Sequence, residues 1–147
     1  MSAPLYNNDI LRLAATIPHH RRLADPQGTA ERRSPTCGSR VSVDVRMDGE
    51  GRVAEIGLEV RACALGQASS SLMAAHAIGR SADELAAARD ALAAYLDGSA
   101  QTLAFWPGLD VLAPARGYPA RHASIRLAFE AVTQAATDAL AIAGTTR

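Results

Sequence analysis

The 147-residue chain lacks several features that would assign it quickly. It has no excess of either charge, since fifteen basic side chains balance fifteen acidic ones. That removes the electrostatic case for a nucleic acid or an anionic membrane surface as partner. It has no apolar run approaching the eighteen residues of a membrane span, and its N-terminus does not follow a basic stretch with an apolar run and a small-residue cleavage site. A cytoplasmic protein is the resulting expectation. It has no glycine-rich phosphate loop, which argues against a doubly wound nucleotide fold. Ser69, Ser70 and Ser71 lack the flanking glycines of a nucleophile elbow. No carboxylate pair suggests a glycosidase, and no general base accompanies either cysteine as a hydrolase would need. Only two cysteines are present, Cys37 and Cys63. A core drawn from 48% hydrophobic residues does not need them as a disulfide, so reduced thiols are expected.

What is present is a clear hairpin. Val41, Val43, Val45 and Met47 alternate with polar residues, and so do Ala54, Ile56, Leu58, Val60 and Ala62. Between them, Asp48-Gly49-Glu50-Gly51 supplies turn residues that tolerate positive φ. A short amphipathic helix is expected over residues 7–17, stopped by Pro18, followed by an irregular connection over 19–36 whose arginines face solvent. After the hairpin, a helix from Ala64 to Ile78 closes at Gly79. Ser81 to Glu84 has capping-box spacing for a helix ending near Gly98. A long last helix runs from about Ala120 to Ala143, with Ile125, Leu127, Ala128, Val132, Ala136 and Leu140 available for packing, and residues 144–147 form a flexible tail. Phe105, Trp106, Pro107, Leu109 and Pro114 lie in an apolar, helix-poor connection suited to covering the core. Strands first and helices afterward predict a single α+β domain over 1–147, a small antiparallel sheet built around the hairpin and covered by C-terminal helices.

Folding about Gly49-Glu50-Gly51 brings Cys37 and Cys63 to the same end of the hairpin. Strict alternation places Cys37 opposite Ala62 or Ala64, so a bend is needed to align the thiols, and Gly38 offers it. Cys63 immediately precedes a predicted helix, whose first amides have no partner within the helix and favour an anionic sulfur. The alternative is that both cysteines are small apolar core residues.

The chain resembles the U-type iron-sulfur scaffold proteins and the N-terminal domain of NifU. The resemblance is carried by Leu5-Tyr6, by Thr36-Cys37-Gly38-Ser39 opening a hydrophobic strand, by Cys63 followed by Ala68-Ser69-Ser70-Ser71-Leu72, and by the segment from Pro119 to Val132. It spans roughly residues 5 to 135. The interval from Cys63 to the last helix, with Leu103, Phe105, Leu109, Tyr118 and Pro119, is more like the SufU branch than the shorter IscU branch. The resemblance implies a SufU/IscU-like fold and a scaffold or sulfur carrier rather than a stand-alone enzyme. It implies iron or a transient iron-sulfur cluster as cargo on Cys37 and Cys63, with a cysteine desulfurase and recipient proteins as partners. Two family ligand positions are degenerate: Ser39 stands for an aspartate and Ser124 for a third cysteine. Neutral hydroxyls are poor ligands for iron or zinc, which weakens zinc as an alternative. His122 is a further candidate ligand, one step earlier than the family's histidine and about 100° around a helix from it. Two alternatives accompany the scaffold: a sulfur relay with Cys63 as persulfide acceptor, and a non-catalytic adaptor that retains the fold. His19, His20 and His76 are read as ordinary polar residues, and the three serines as packing or capping residues.

Overall fold

The structure is a computed structural model that describes residues 5–35, 38–101 and 106–145, the last three of these by backbone alone. Three antiparallel strands form one sheet in the order β1 (Gly28–Arg33), β2 (Arg40–Met47) and β3 (Val53–Arg61). Four α-helices accompany it: α1 (Asn8–Ala15), α2 (Ala64–His76), α3 (Ala82–Asp97) and α4 (His122–Thr145). Two 3₁₀ turns, Leu109–Gly117 and Pro119–Arg121, join α3 to α4. Among the described residues no helix is long and apolar enough to cross a membrane.

The hairpin forms with the register that alternation demands: Val41 faces Val60, Val43 faces Leu58 and Val45 faces Ile56, with a bulge at Arg46/Met47. These side chains are buried on the face that α4 covers, and α4 also packs on β1, α2 and α3. Asp48 shapes the turn by accepting the Glu50 and Arg52 amides at 2.8 and 3.0 Å. The Ser81 capping box forms in both directions, and α3 ends at Gly98 with φ 89°. Helix α2 ends two residues short of the expected Ile78, and the Gly79 amide turns back to the Val53 carbonyl at 2.8 Å. Trp106 is buried as expected of the apolar connection. Its indole N–H donates to the Leu72 carbonyl at 3.0 Å, and its ring meets Phe129 edge-on at 5.1 Å. Leu103 and Phe105 lie outside the described residues. Leu140, expected to pack, is exposed near the end of α4.

The segment 19–36 departs most from expectation. It contains β1, which pairs with β2 from Gly28↔Val45 to Arg33↔Arg40. The strand was illegible because a charged edge strand, Gly-Thr-Ala-Glu-Arg-Arg, shows only a brief alternation of burial. Nor are all its arginines simply solvated. Residues 19–25 cross the outer face of the sheet, where Arg22 grips Asp44 through Nε at 2.8 Å and a terminal nitrogen at 2.9 Å. The Leu23 amide and the Thr29 hydroxyl donate to the same carboxylate at 3.0 and 2.7 Å. Asp44, on the polar face of the alternation, is therefore buried, as is Ser42. Burial alone would push this carboxyl up. The bonds from Arg22, Thr29 and Leu23 outweigh it and hold Asp44 below the usual carboxylate range. Gly57, opposite Asp44, must be glycine here, because the Arg21 carbonyl occupies the place of a Cβ. At the other terminus the helix continues to Thr145, into the stretch expected as a tail, and residues 146 and 147 lie outside the described residues.

Candidate functional site

Three element ends meet at one end of the sheet. Because Arg40 pairs with Arg61, the residues just before β2 and just after β3 are neighbours. Ser39 lies on one side, and Cys63 on the other as the N-cap residue of α2, in extended conformation with φ −65° and ψ 170°. The Cys63 carbonyl accepts the first helical bond from the Gln67 amide at 2.9 Å, while the side chain makes no capping bond. The sulfur is left for other partners. The first turn of α4 supplies one: Ser124 Oγ lies 3.5 Å from Cys63 Sγ and donates to Ser39 Oγ at 3.1 Å. Ser124 and Ser39 are buried, at 1% and 4% exposure, whereas Cys63 is half-buried and reaches solvent. The result is a chain from sulfur through hydroxyl to hydroxyl, running from half-buried Cys63 to two buried serines.

The close approach of α2 and α4 makes this chain. Gly66 is its hidden requirement, since a Cβ there would stand 2.7 Å from Ser124 Oγ and 2.7 Å from the Ala62 Cβ. The serine run donates to backbone carbonyls, and Ser69 alone of the three reaches α4. Ser69 donates to Ile125 at 2.6 Å, Ser70 to Gly66 at 2.8 Å and Ser71 to Thr16 at 3.5 Å. Ser69 and Ser71 thus tie α2 to α4 and to the end of α1, while Ser70 bonds within α2. A glycine in the first turn of an alanine-rich helix was the available signal for Gly66, because such a residue needs a packing reason to offset its poor helix propensity.

The other sequence candidates are distributed as follows. Cys37 and Thr36 lie outside the described residues. His122 stands two positions before Ser124, about 200° around α4, and its Nε2 lies 2.9 Å from the Ala115 carbonyl. It lines a separate cavity with Ala93, Leu96, Asp97, Pro119 and Arg126, so the described contacts do not join it to Cys63. His20 Nε2 accepts the Val60 amide at 3.4 Å, and the His19 carbonyl accepts the Leu58 amide at 3.0 Å, so this pair covers the outer edge of β3. His76 is exposed in the last turn of α2. Among the described residues no three His, Cys, Asp or Glu side chains gather as a metal-binding group. The described donors around Cys63 do not by themselves fit a resident zinc ion, because serine hydroxyls bring neither the charge nor the acidity of a thiolate or carboxylate.

Comparison with known proteins places this geometry in context. The profile of the family described as NifU-like N terminal domain matches residues 5–138. The crystal structure of a nitrogen-fixing NifU-like protein (N-terminal) from Brucella abortus is 40% identical, with a TM-score of 0.86, covering 93% of this chain and 95% of that one. An iron-sulfur cluster assembly scaffold protein IscU from Streptococcus pyogenes serotype M1 is 29% identical over 119 residues, which are 80% of this chain and 74% of the relative. A scaffold candidate for the SUF system from the thermophile Fervidobacterium islandicum superposes with a TM-score of 0.78 over 90% of this chain and 96% of that one. At 20% identity it supports the fold alone.

Proposed function

The chain belongs to the family of NifU-like N-terminal domains, and on that premise we propose that it serves iron-sulfur cluster assembly as a scaffold-like protein holding iron or a transient iron-sulfur unit on Cys63 and Cys37. One observation carries the reading. Cys63 is the half-buried N-cap of a 13-residue helix, its sulfur unused by the cap and facing the first turn of α4. The unpaired amides of a helix N-terminus favour negative charge, which suits a thiolate that grips iron or carries sulfur. Two protein thiolates would hold one edge of such a unit, and small thiols or a second chain would complete its coordination. Anaerobic reconstitution with iron and sulfide tests this, with bound iron and acid-labile sulfide as the expected result. A protein that stays colourless and iron-free while both thiols remain reduced would overturn it.

A second reading is sulfur relay, in which Cys63 accepts a persulfide sulfur from a cysteine desulfurase. What favours it is the described company Cys63 keeps, the Ser124 hydroxyl backed by Ser39 and, among the described contacts, no carboxylate or histidine. Relay needs one accessible, activated sulfur and not four ligands. Incubation with a desulfurase and cysteine is expected to add one sulfur to Cys63 by mass spectrometry. Productive desulfurase turnover without an adduct would refute relay.

A further inference from the structure

We propose that Ser124 is a catalytic residue for releasing sulfur from Cys63, donating its hydroxyl hydrogen to Cys63 Sγ as that atom becomes the leaving group. The proposal rests on the sulfur-relay reading and concerns the step after loading. In release, an acceptor nucleophile attacks the outer sulfur of the Cys63 persulfide and forms a bond to it. The bond between the outer sulfur and Sγ breaks, and its electron pair stays on Sγ. Nothing is oxidised or reduced overall, because the sulfane sulfur changes carrier without changing state. Negative charge therefore develops on Sγ, the atom 3.5 Å from Ser124 Oγ.

The placement suits a donor aimed at developing charge. Ser124 is 1% exposed and is held by Ser39 Oγ at 3.1 Å, so its oxygen need not move during the reaction. The direction of the chain is set by hydroxyl rotation alone. With a thiol on Cys63, the S–H donates to Ser124 and Ser124 donates to Ser39. With charge on Sγ, the Ser124 hydroxyl turns from Ser39 to the sulfur. No heavy atom shifts between the two arrangements. Because Sγ faces the buried Ser124 and Cys63 is half-buried, the outer sulfur is the one offered to an acceptor. Of the two serines that are poor metal ligands, Ser124 thereby takes on a different chemistry, hydrogen bonding to sulfur, and Ser39 positions it.

Cyanolysis measures this step directly, since cyanide removes the outer sulfur as thiocyanate and leaves Sγ as the departing thiolate. The full-length protein is loaded chemically, by forming the pyridyl disulfide with dithiodipyridine and displacing the pyridyl thiol with sulfide. Loading therefore needs no desulfurase. The remaining persulfide is trapped with iodoacetamide and read on the tryptic peptide 62–80, which separates Cys63 from Cys37. Losing a hydrogen bond to a charged leaving atom in Ser124→Ala is expected to slow release about five- to tenfold. Ser39→Ala is expected to slow it about twofold by freeing the Ser124 rotor. The alanine variant is smaller, so steric closure does not explain a slower rate. Release from Ser124→Ala within twofold of the parent, or faster, would overturn the proposal. Failure of desulfurase loading while chemical loading succeeds would instead overturn the relay reading and leave the leaving-group chemistry intact.

Discussion

Replacing Gly66 with alanine sets two opposing effects against each other at the site. Alanine is the better helix former, and at the third residue of α2 this is worth at most about 1 kcal/mol in favour of the variant. Against it stands the contact geometry. The new Cβ would lie 2.7 Å from both Ser124 Oγ and Ala62 Cβ, and 3.3 Å from the Ser124 carbonyl. Ser124 relieves its contact by rotating its hydroxyl away, which gives up the bonds to Ser39 and Cys63. Each such bond contributes about 1 kcal/mol net. The Ala62 contact is not relieved by that rotation and requires α2 to shift, within the usual overpacking cost of about 1–3 kcal/mol. The clash wins, and Gly66→Ala is expected to be less stable by about 2–4 kcal/mol in urea unfolding under reducing conditions. In a Ser124→Ala background neither the hydroxyl contact nor its two bonds exist, and the penalty is expected to fall by about 2 kcal/mol in the double-mutant cycle. A Gly66→Ala protein more stable than its parent would mean that helix propensity acts alone and that the close approach of α2 and α4 is wrong.

Three further outcomes are expected. Asp44→Ala strands Arg22 and the Leu23 amide, and because Arg22 stays half exposed the loss is about 2 kcal/mol by urea denaturation, toward the low end for a broken buried pair. The sign of its pH dependence follows from the depressed native carboxyl: Asp44 contributes fully at neutral pH, and its contribution disappears as pH falls through and below about 4, the unfolded carboxyl protonating first. Asp44→Asn should therefore flatten the acid limb of stability against pH, and an unchanged limb would show that Asp44 is not the group responsible. Ser81→Ala removes the side-chain arm of a capping box, leaving the backbone amide of residue 81 on Glu84, and is expected to cost about 1 kcal/mol, with the loss read in the thermal midpoint of an otherwise unchanged fold. Ser39→Asp with Ser124→Cys converts two hydroxyl positions beside Cys63 into stronger ligands, and metal analysis after loading is expected to find more retained iron or zinc than in the parent protein. Unchanged metal content in the folded double variant would show that local backbone shape or access, rather than ligand identity, closes the site to metal.

Local pattern was enough for much of this molecule. A strand that buries one face alternates with period two, so β2 and β3, their turn and their register could be read directly, and with them the end of the sheet where Cys63 lies. The capping box of α3 and its terminal glycine are likewise local, because a helix end satisfies its orphan amides and carbonyls with residues within one turn. Two cysteines and the serine-rich helix after the second pointed to sulfur chemistry and to the family before any contact was known.

Tertiary structure decided what no local period encodes. β1 exists because a partner strand and a covering helix supply the bonds and burial that a charged six-residue segment lacks by itself. Asp44 became a buried clasp instead of a solvent-facing strand residue because Arg22, twenty-two positions away, crosses the outer face to neutralise it. The site itself is of this kind. Cys63 and Ser124 are sixty-one residues apart, and Ser39 and Ser124 eighty-five. The Ser124 hydroxyl reaches the sulfur, with Ser39 behind it, because Gly66 lets two helix N-termini approach. A sequence states which side chains are available; the distance at which a hydroxyl meets a sulfur is a property of packing.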